Sequence, residues 1–388
     1  MELAAAQIRT LAQTADKAGR QEILSTLNKL QSEIEDPMEM LMRLSNFNIL
    51  IAMFRVAVHV QLFQALDKSE SLDIDEIAKA TGVTSELLTR ILRYLASMNV
   101  IKENPNGRYT ANNITRFFTN SRVQGQVLHG FETNIPVARE LFDFLATTNY
   151  REITDNKHTP FQKAYNTNLH PFEWFAQNKK RFEHFHEGMA AMASAAWIDV
   201  VEVFQKAAEQ IPHATPKADE VPFFVDVGGG YGHQSVLVGR LYPNLLHRIV
   251  FQDLPQTLDQ VSVIEGIEAQ AHDFFTPQPI KGAKFYYLRR VMHDWPDADA
   301  LSILQHLTPS LSTDSRILID EIVMPDQSAH WHSTMIDLSM MMAFAGKERC
   351  AQQWKDLAAR SGLRVEGIHT YDAASYASVI VMVSTRQL

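Results

Sequence analysis

The sequence predicts an α/β protein in two parts: an α-helical amino-terminal domain with a winged-helix-like core, then a Rossmann-like, doubly wound sheet. Three observations predict it. Apolar residues recur at three-to-four spacing through the first 66 positions, a helix–turn–helix–wing pattern follows, and strands alternate with helices beyond Pro222. The implied organisation is 1–122 as a helical dimerisation and winged-helix-like domain, 123–212 as a helical connecting and pocket-forming segment, and 213–388 as the doubly wound domain.

Residues 1–66 read as helices because Ile8, Leu11 and Ala15, then Ile23, Leu27, Leu30 and Ile34, repeat at helical spacing, with Pro37 marking a break. The 38–66 helix is apolar on more than one face (Met40, Leu41, Leu44, Ile49, Leu50, Ile51, Phe54, Val58). It needs cover, from a partner subunit or from the chain's own core. Arg55 and His59 interrupt its most lipid-like stretch, so it reads as a buried or interface helix rather than a membrane span. Ile74–Gly82 is a helix stopped by glycine, and Ser85 caps the next, Glu86–Met98. Val100-Ile-Lys and Arg108-Tyr-Thr then form a hairpin around Asn104-Pro-Asn-Gly107. The second helix of this winged-helix shape offers only Arg90 and Arg93, too little charge to read a DNA groove.

Residues 125–211 are helical and dotted with aromatics and histidines that suit an apolar, aromatic-binding wall. His213–Pro222 reads as a linker. Strands are expected at 223–227, 248–252, 284–288, 316–322, 364–370 and 378–385.

A net charge of −9 argues against nucleic acid as partner, and one cysteine, Cys350, excludes an internal disulfide framework and suits a reducing cytoplasm. The opening Met1–Arg9 carries no long apolar core, and the 15 histidines show no H-E-x-x-H spacing. Neither a signal peptide, a membrane partner nor a metal is therefore expected.

The chemistry concentrates after the first predicted strand. Phe223-Phe-Val-Asp-Val ends in Gly228, Gly230 and Gly232, which let the backbone turn sharply and approach a ligand; the next strand ends on Asp253, placed for a ribose. The G-x-G-x-G order differs from the G-x-G-x-x-G that cradles a pyrophosphate, and no P-loop lysine follows. A nucleoside without a pyrophosphate fits better, and S-adenosylmethionine (SAM) is the candidate. The strand at 284–288 opens into Arg289-Arg-Val-Met-His-Asp-Trp-Pro296, so His293 lies where a reacting group belongs. Glu321 ends the next strand, and Glu348 follows a Met-rich helix at 335–342. An imidazole flanked by two carboxylates is a general base whose tautomer the acids fix.

Over almost its whole length the chain resembles the plant and fungal caffeate-type O-methyltransferases. The landmarks are Asp226-Val-Gly-Gly-Gly-Tyr-Gly232, Gln252-Asp-Leu-Pro255, Asp273-Phe274, His293-Asp-Trp295, Asp320-Glu321 and Gly346-Lys-Glu-Arg349. The resemblance implies a homodimer through the amino-terminal helices and a SAM site of Asp226, Gly228, Gly230, Gly232, Asp253, Leu254, Asp273, Phe274 and Trp295, with Arg289 in place of a cofactor-contacting lysine. It also implies His293 as base supported by Glu321 and Glu348, with Met189, Phe185 and Met341 in the acceptor pocket. One fungal branch, the leporin-type pericyclases, binds SAM without consuming it and closes rings on pyridones. That branch carries a different basic residue at the base position and an extra histidine from the middle helices. The intact His293 matches methyl transfer, while His129, with Asp294, stands where the extra histidine is expected.

Overall fold

The computed structural model of the chain describes residues 1–191, 194–211 and 221–385, so 213–220 of the expected linker lie outside the described residues. Backbone contacts divide the chain into two units, Met1–Thr133 with Glu183–Ala191, and Asn134–Phe182 with Met192–Leu388. The expected 123–212 segment is thus shared between the two.

The first unit opens with helices Glu2–Thr14, Lys17–Ile34 and Pro37–His59. Asp36 and Glu39 form a capping box around the third, and Pro37 takes its first turn, where a missing N–H costs nothing. The apolar 38–66 stretch is not one helix. Gln61 is left-handed (φ 55°) and separates Pro37–His59 from a short helix, Leu62–Asp67. Only Ala57 and Val58 of the long helix are buried, and Met38, Met40, Leu41, Met42, Leu44, Phe47 and Ile49 are exposed. It is long and apolar enough to cross a membrane by length and composition, with hydropathy 1.4 over its best window. The chain's own core leaves this face uncovered. A dimer is therefore the expected state in light scattering at micromolar concentration. A folded, active monomer would show that the helix needs no partner.

Below this helix lies the winged-helix core, in which Leu62, Phe63, Leu66, Ile77, Leu88, Leu92 and Leu95 pack together. Ile74–Thr81 ends on left-handed Gly82 as its sequence implies. Ser85 does not cap the next helix. It is the first helical residue, after Thr84, and its hydroxyl donates to Asp75 instead (2.9 Å). The wing is a two-residue pair, β1 (Lys102–Glu103) with β2 (Tyr109–Thr110).

The second unit is built on an eight-stranded sheet: β3 (Phe224–Val227), β4 (Ile249–Asp253), β5 (Glu268–Ala271), β6 (Phe285–Arg289), β7 (Arg316–Met324), β8 (Arg349–Cys350), β9 (Leu363–Asp372) and β10 (Ala377–Ser384). Its order is β5-β4-β3-β6-β7-β10-β9, with β8 paired to β7. The first five in that order are parallel, and β10 is antiparallel to both neighbours. Sequence reading missed β5 and β8. β5 is Glu-Ala-Gln-Ala at a sheet edge and mostly exposed, so it carries no apolar run to reveal it. β8 is two residues long.

Alternate strand residues feed two different cores. Val225, Val227, Tyr286, Leu288, Ile317 and Ile319 pack on one side of the sheet. Phe224, Phe285, Tyr287 and Leu318 pack on the other. This period of two puts the neighbours Asp320 and Glu321 on opposite faces, and the site depends on that separation.

Candidate active site and cofactor crevice

Beyond β3 the amides of Gly228 and Gly229 donate to the Gln252 carbonyl (2.9 and 3.0 Å), which folds the glycine loop over the end of β4. Gly228, Gly230 and Gly232 have φ of 73°, 59° and 73°, a region that side chains disfavour. Asp253 fixes the loop: one carboxylate oxygen accepts from Gly230 N and the other from Leu254 N, both at 2.8 Å. Burial pushes the Asp253 carboxyl up, and these two amides oppose that. Deeper in, buried Asp226 accepts from the Ser235 hydroxyl (2.9 Å); burial raises it to about 7.

The opposite wall is aromatic. A Cβ on Gly228 would press on Val291 and Phe274, at 2.9 and 3.4 Å. Trp295 meets Phe274 and Phe275 edge-on (5.9 and 4.7 Å) and stacks flat on His170 (4.7 Å, 5°). The Trp295 indole N–H is buried and has no hydrogen-bond partner among the described residues, an orphan that a heteroaromatic ligand in this crevice would satisfy. Asp273 holds the turn below by accepting from Phe275 N (2.9 Å).

His293 sits in a short turn after β6, and Nδ1 lies 2.7 Å from a Glu348 oxygen. Glu321 Oε2 is 3.5 Å from the same nitrogen. Its other oxygen accepts from the amides of Val291, Met292 and His293 at 3.0, 3.0 and 3.3 Å, so Glu321 ties the turn to β7. Nε2 faces away from the glutamates, with Asp294 Oδ1 at 3.7 Å, beyond hydrogen-bond reach. Burial alone would lower the imidazole, but Glu321, Glu348 and Asp294 outweigh it and raise His293 to about 9. Asp294 is itself pushed up to about 7, chiefly by burial and against the pull of His293.

The role of Gly346-Lys-Glu-Arg349 beyond Glu348 was not legible in sequence. A Cβ on Gly346 would collide with the His293 carbonyl oxygen, so only glycine permits this approach. Lys347 N donates to that same carbonyl (2.9 Å). Arg349, fully buried, donates to the carbonyls of Met292 (2.9 Å) and Trp295 (2.8 Å) and to Asp297 (2.9 Å). Four consecutive residues thus clamp the turn that carries His293.

Arg289, expected to contact the cofactor, ends β6 in a buried hydrogen-bond network. Its guanidinium donates to buried Asp320 (2.6 Å), which also accepts from Tyr287 and Tyr371 (2.5 and 2.8 Å). Burial would lower Arg289, but Asp320 and the two tyrosines together raise it. This network occupies the sheet face opposite Glu321. Met341, on helix Trp331–Phe344, packs against Phe144, Ile153 and Ala345. His129, Phe185 and Met189 belong to the first unit, where the His129 and Phe185 rings meet edge-on at 5.4 Å. His129 ends a helix that passes into a π-helical turn, Gly130–Asn134.

Residues 147–364 match the O-methyltransferase domain family and residues 42–121 the O-methyltransferase dimerisation domain. The chain belongs to the O-methyltransferase family. It is 37% identical to demethylsterigmatocystin 6-O-methyltransferase of Aspergillus flavus, covering 100% of this chain and 98% of that protein. It is 36% identical to O-methyltransferase lepI of the same species, over 94% of each. Among solved structures, one described as a pericyclic reaction enzyme superposes with a TM-score of 0.91 at 35% identity, covering 99% of this chain and 100% of that one. LepI in complex with SAM gives 0.91 at 34% identity, covering 99% and 98%. The fold class, the family and the dimerisation domain expected from the sequence are all met.

Proposed function

We propose that this protein is a SAM-dependent O-methyltransferase acting on a hydroxyl of a small aromatic or polyketide-type secondary metabolite, with His293 as general base. The observation that carries this reading is the imidazole itself, held at Nδ1 by Glu348 with Nε2 facing away from both glutamates. Gly228, Gly230, Gly232, Asp253, Asp273, Phe274 and Trp295 would hold SAM, the glycines giving backbone approach and the aromatics a slot for adenine. Bound there, SAM supplies an electrophilic methyl group on a sulfonium and departs as S-adenosylhomocysteine. The protein's share is to position the acceptor oxygen and take its proton onto Nε2. The new imidazolium is then stabilised by Glu348 and Glu321. The single cysteine suits a reducing cytoplasm, the net charge of −9 disfavours nucleic acid as partner, and the dimerisation domain supports a second copy of this chain as partner beside the small-molecule acceptor.

A second reading, a SAM-bound pericyclase, is favoured by the likeness to LepI and by His129. There the sulfonium charge would assist as a fixed electrostatic element. Incubation with methyl-labelled SAM and an extract of fungal polyketide metabolites separates the two. Label in an extractable product, with matching S-adenosylhomocysteine, supports methyl transfer. Turnover that leaves the label on SAM overturns it.

A further inference from the structure

His293 is surrounded by more negative charge than a resting base tolerates. Glu348 Oε1 and Glu321 Oε2 face Nδ1 at 2.7 and 3.5 Å, and Asp294 faces Nε2 at 3.7 Å. An imidazole so placed is drawn toward its protonated form, and a protonated imidazole cannot accept the proton of a hydroxyl. One further cation reaches this cluster. The Arg290 guanidinium lies 3.7 Å from Glu348 Oε1 and 3.9 Å from Glu321 Oε2, the same two oxygens that face His293. Its Nη1 is buried and makes no direct hydrogen bond among the described residues, so it neutralises both acids through space without displacing the imidazole from either. Its backbone is left-handed (φ 52°), a conformation that costs a non-glycine residue free energy. The Arg290 amide donates to the Asp320 carbonyl (3.2 Å), which fixes the residue at the end of β6.

We propose that Arg290 is a positioning residue that competes with His293 for the two glutamates and thereby weakens the hold of the imidazole on its proton. The mechanism is charge balance. Glu348 and Glu321 face the imidazole with negative charge, and the Arg290 guanidinium offsets part of it at the same two oxygens. The other groups facing the cluster do not substitute for it. From helix Trp331–Phe344, Asp337 accepts from Glu348 N (2.8 Å) and adds negative charge, while burial and the positive field of Arg290 lower His332. Tyr371 of β9 is held far above neutrality, first by burial, and stays uncharged. Arg349 and Lys347, on the Glu348 segment, are engaged by Asp297.

The proposal rests on His293 as the base, yet its test requires neither acceptor nor SAM. The experiment is a pH titration of the whole protein with nitrogen-labelled histidine, with the His293 signal assigned by its loss in His293→Asn. Arg290→Gln and Arg290→Met, which remove the charge, should raise the His293 midpoint by about one pH unit or more. Arg290→Lys should return it close to wild type. A midpoint unmoved in the neutral variants, or equally moved in Arg290→Lys, overturns the proposal while leaving methyl transfer untouched. Failure of both neutral variants to fold also overturns it, because it assigns Arg290 a role in charge and none in folding. Absence of methyl transfer by wild type would refute the base assignment instead, and the titration would still report the electrostatics.

Discussion

Replacing His293 by alanine is expected to lower turnover about a hundredfold or more while SAM affinity stays nearly unchanged. The imidazole is held by Glu348 and Glu321 and, among the described residues, makes no hydrogen bond or ring contact with the glycine loop or with Phe274 and Trp295 that shape the crevice wall. Its loss therefore removes the base and leaves those residues in place. The pH dependence should show the same group. His293 is raised to about 9, and only the neutral form accepts a proton, so kcat/KM of wild type should climb as pH rises toward that value. Stability runs the other way. A folded-state value above the ordinary 6.5 means that protonated His293 contributes stability fully below that pH, and the contribution is lost as pH rises through about 9. Thermal melting of wild type against His293→Ala across this window checks the sign. The same variant separates the two enzyme readings. If His129→Ala harms turnover at least as much as His293→Ala, and S-adenosylhomocysteine in place of SAM only slows the reaction, the protein is a pericyclase and the base assignment is lost.

Gly230→Val is expected to abolish SAM binding, seen as at least a ~100-fold loss in calorimetric titration; backbone strain alone supplies on the order of 1–3 kcal/mol of it. Gly230 has φ 59°, which a β-branched residue does not adopt without strain. Its amide donates to Asp253 at 2.8 Å, so a shift of this residue also releases the carboxylate proposed to hold the ribose. The new side chain would project into the space the loop leaves for the ligand. A folded Gly230→Val protein that binds SAM as wild type does would show that the crevice holds something else.

The glycine loop, the ends of β4, β6 and β7, and the winged-helix core were all legible in sequence, because each rests on local chemistry. Glycines appear where φ turns positive, apolar runs become buried parallel strands, and Asp253 and Glu321 mark strand ends. The failures were local too. β5 is a polar edge strand without the pattern that identifies a strand, and Ser85 resembled a cap that Thr84 displaced by one position. Gln61 broke the 38–66 helix although no proline or glycine announces it.

The sequence by itself determined the fold class, the glycine loop and the candidate base with its candidate acids, since these follow from residue types and motifs along the chain. Only the tertiary structure decided what surrounds them. The parity of β7 sends Asp320 to one face and Glu321 to the other, so Arg289 is drawn into a buried network on the face opposite Glu321 and His293. Gly346 and Arg349 reach the turn at His293 from more than fifty residues downstream, by backbone approach and carbonyl hydrogen bonds that no side-chain pattern records. Arg290 shares two carboxylate oxygens with the imidazole three positions along. Spacing along a chain fixes which groups are near in sequence; the charge state of a buried base depends on every group near in space, and folding alone assembles those.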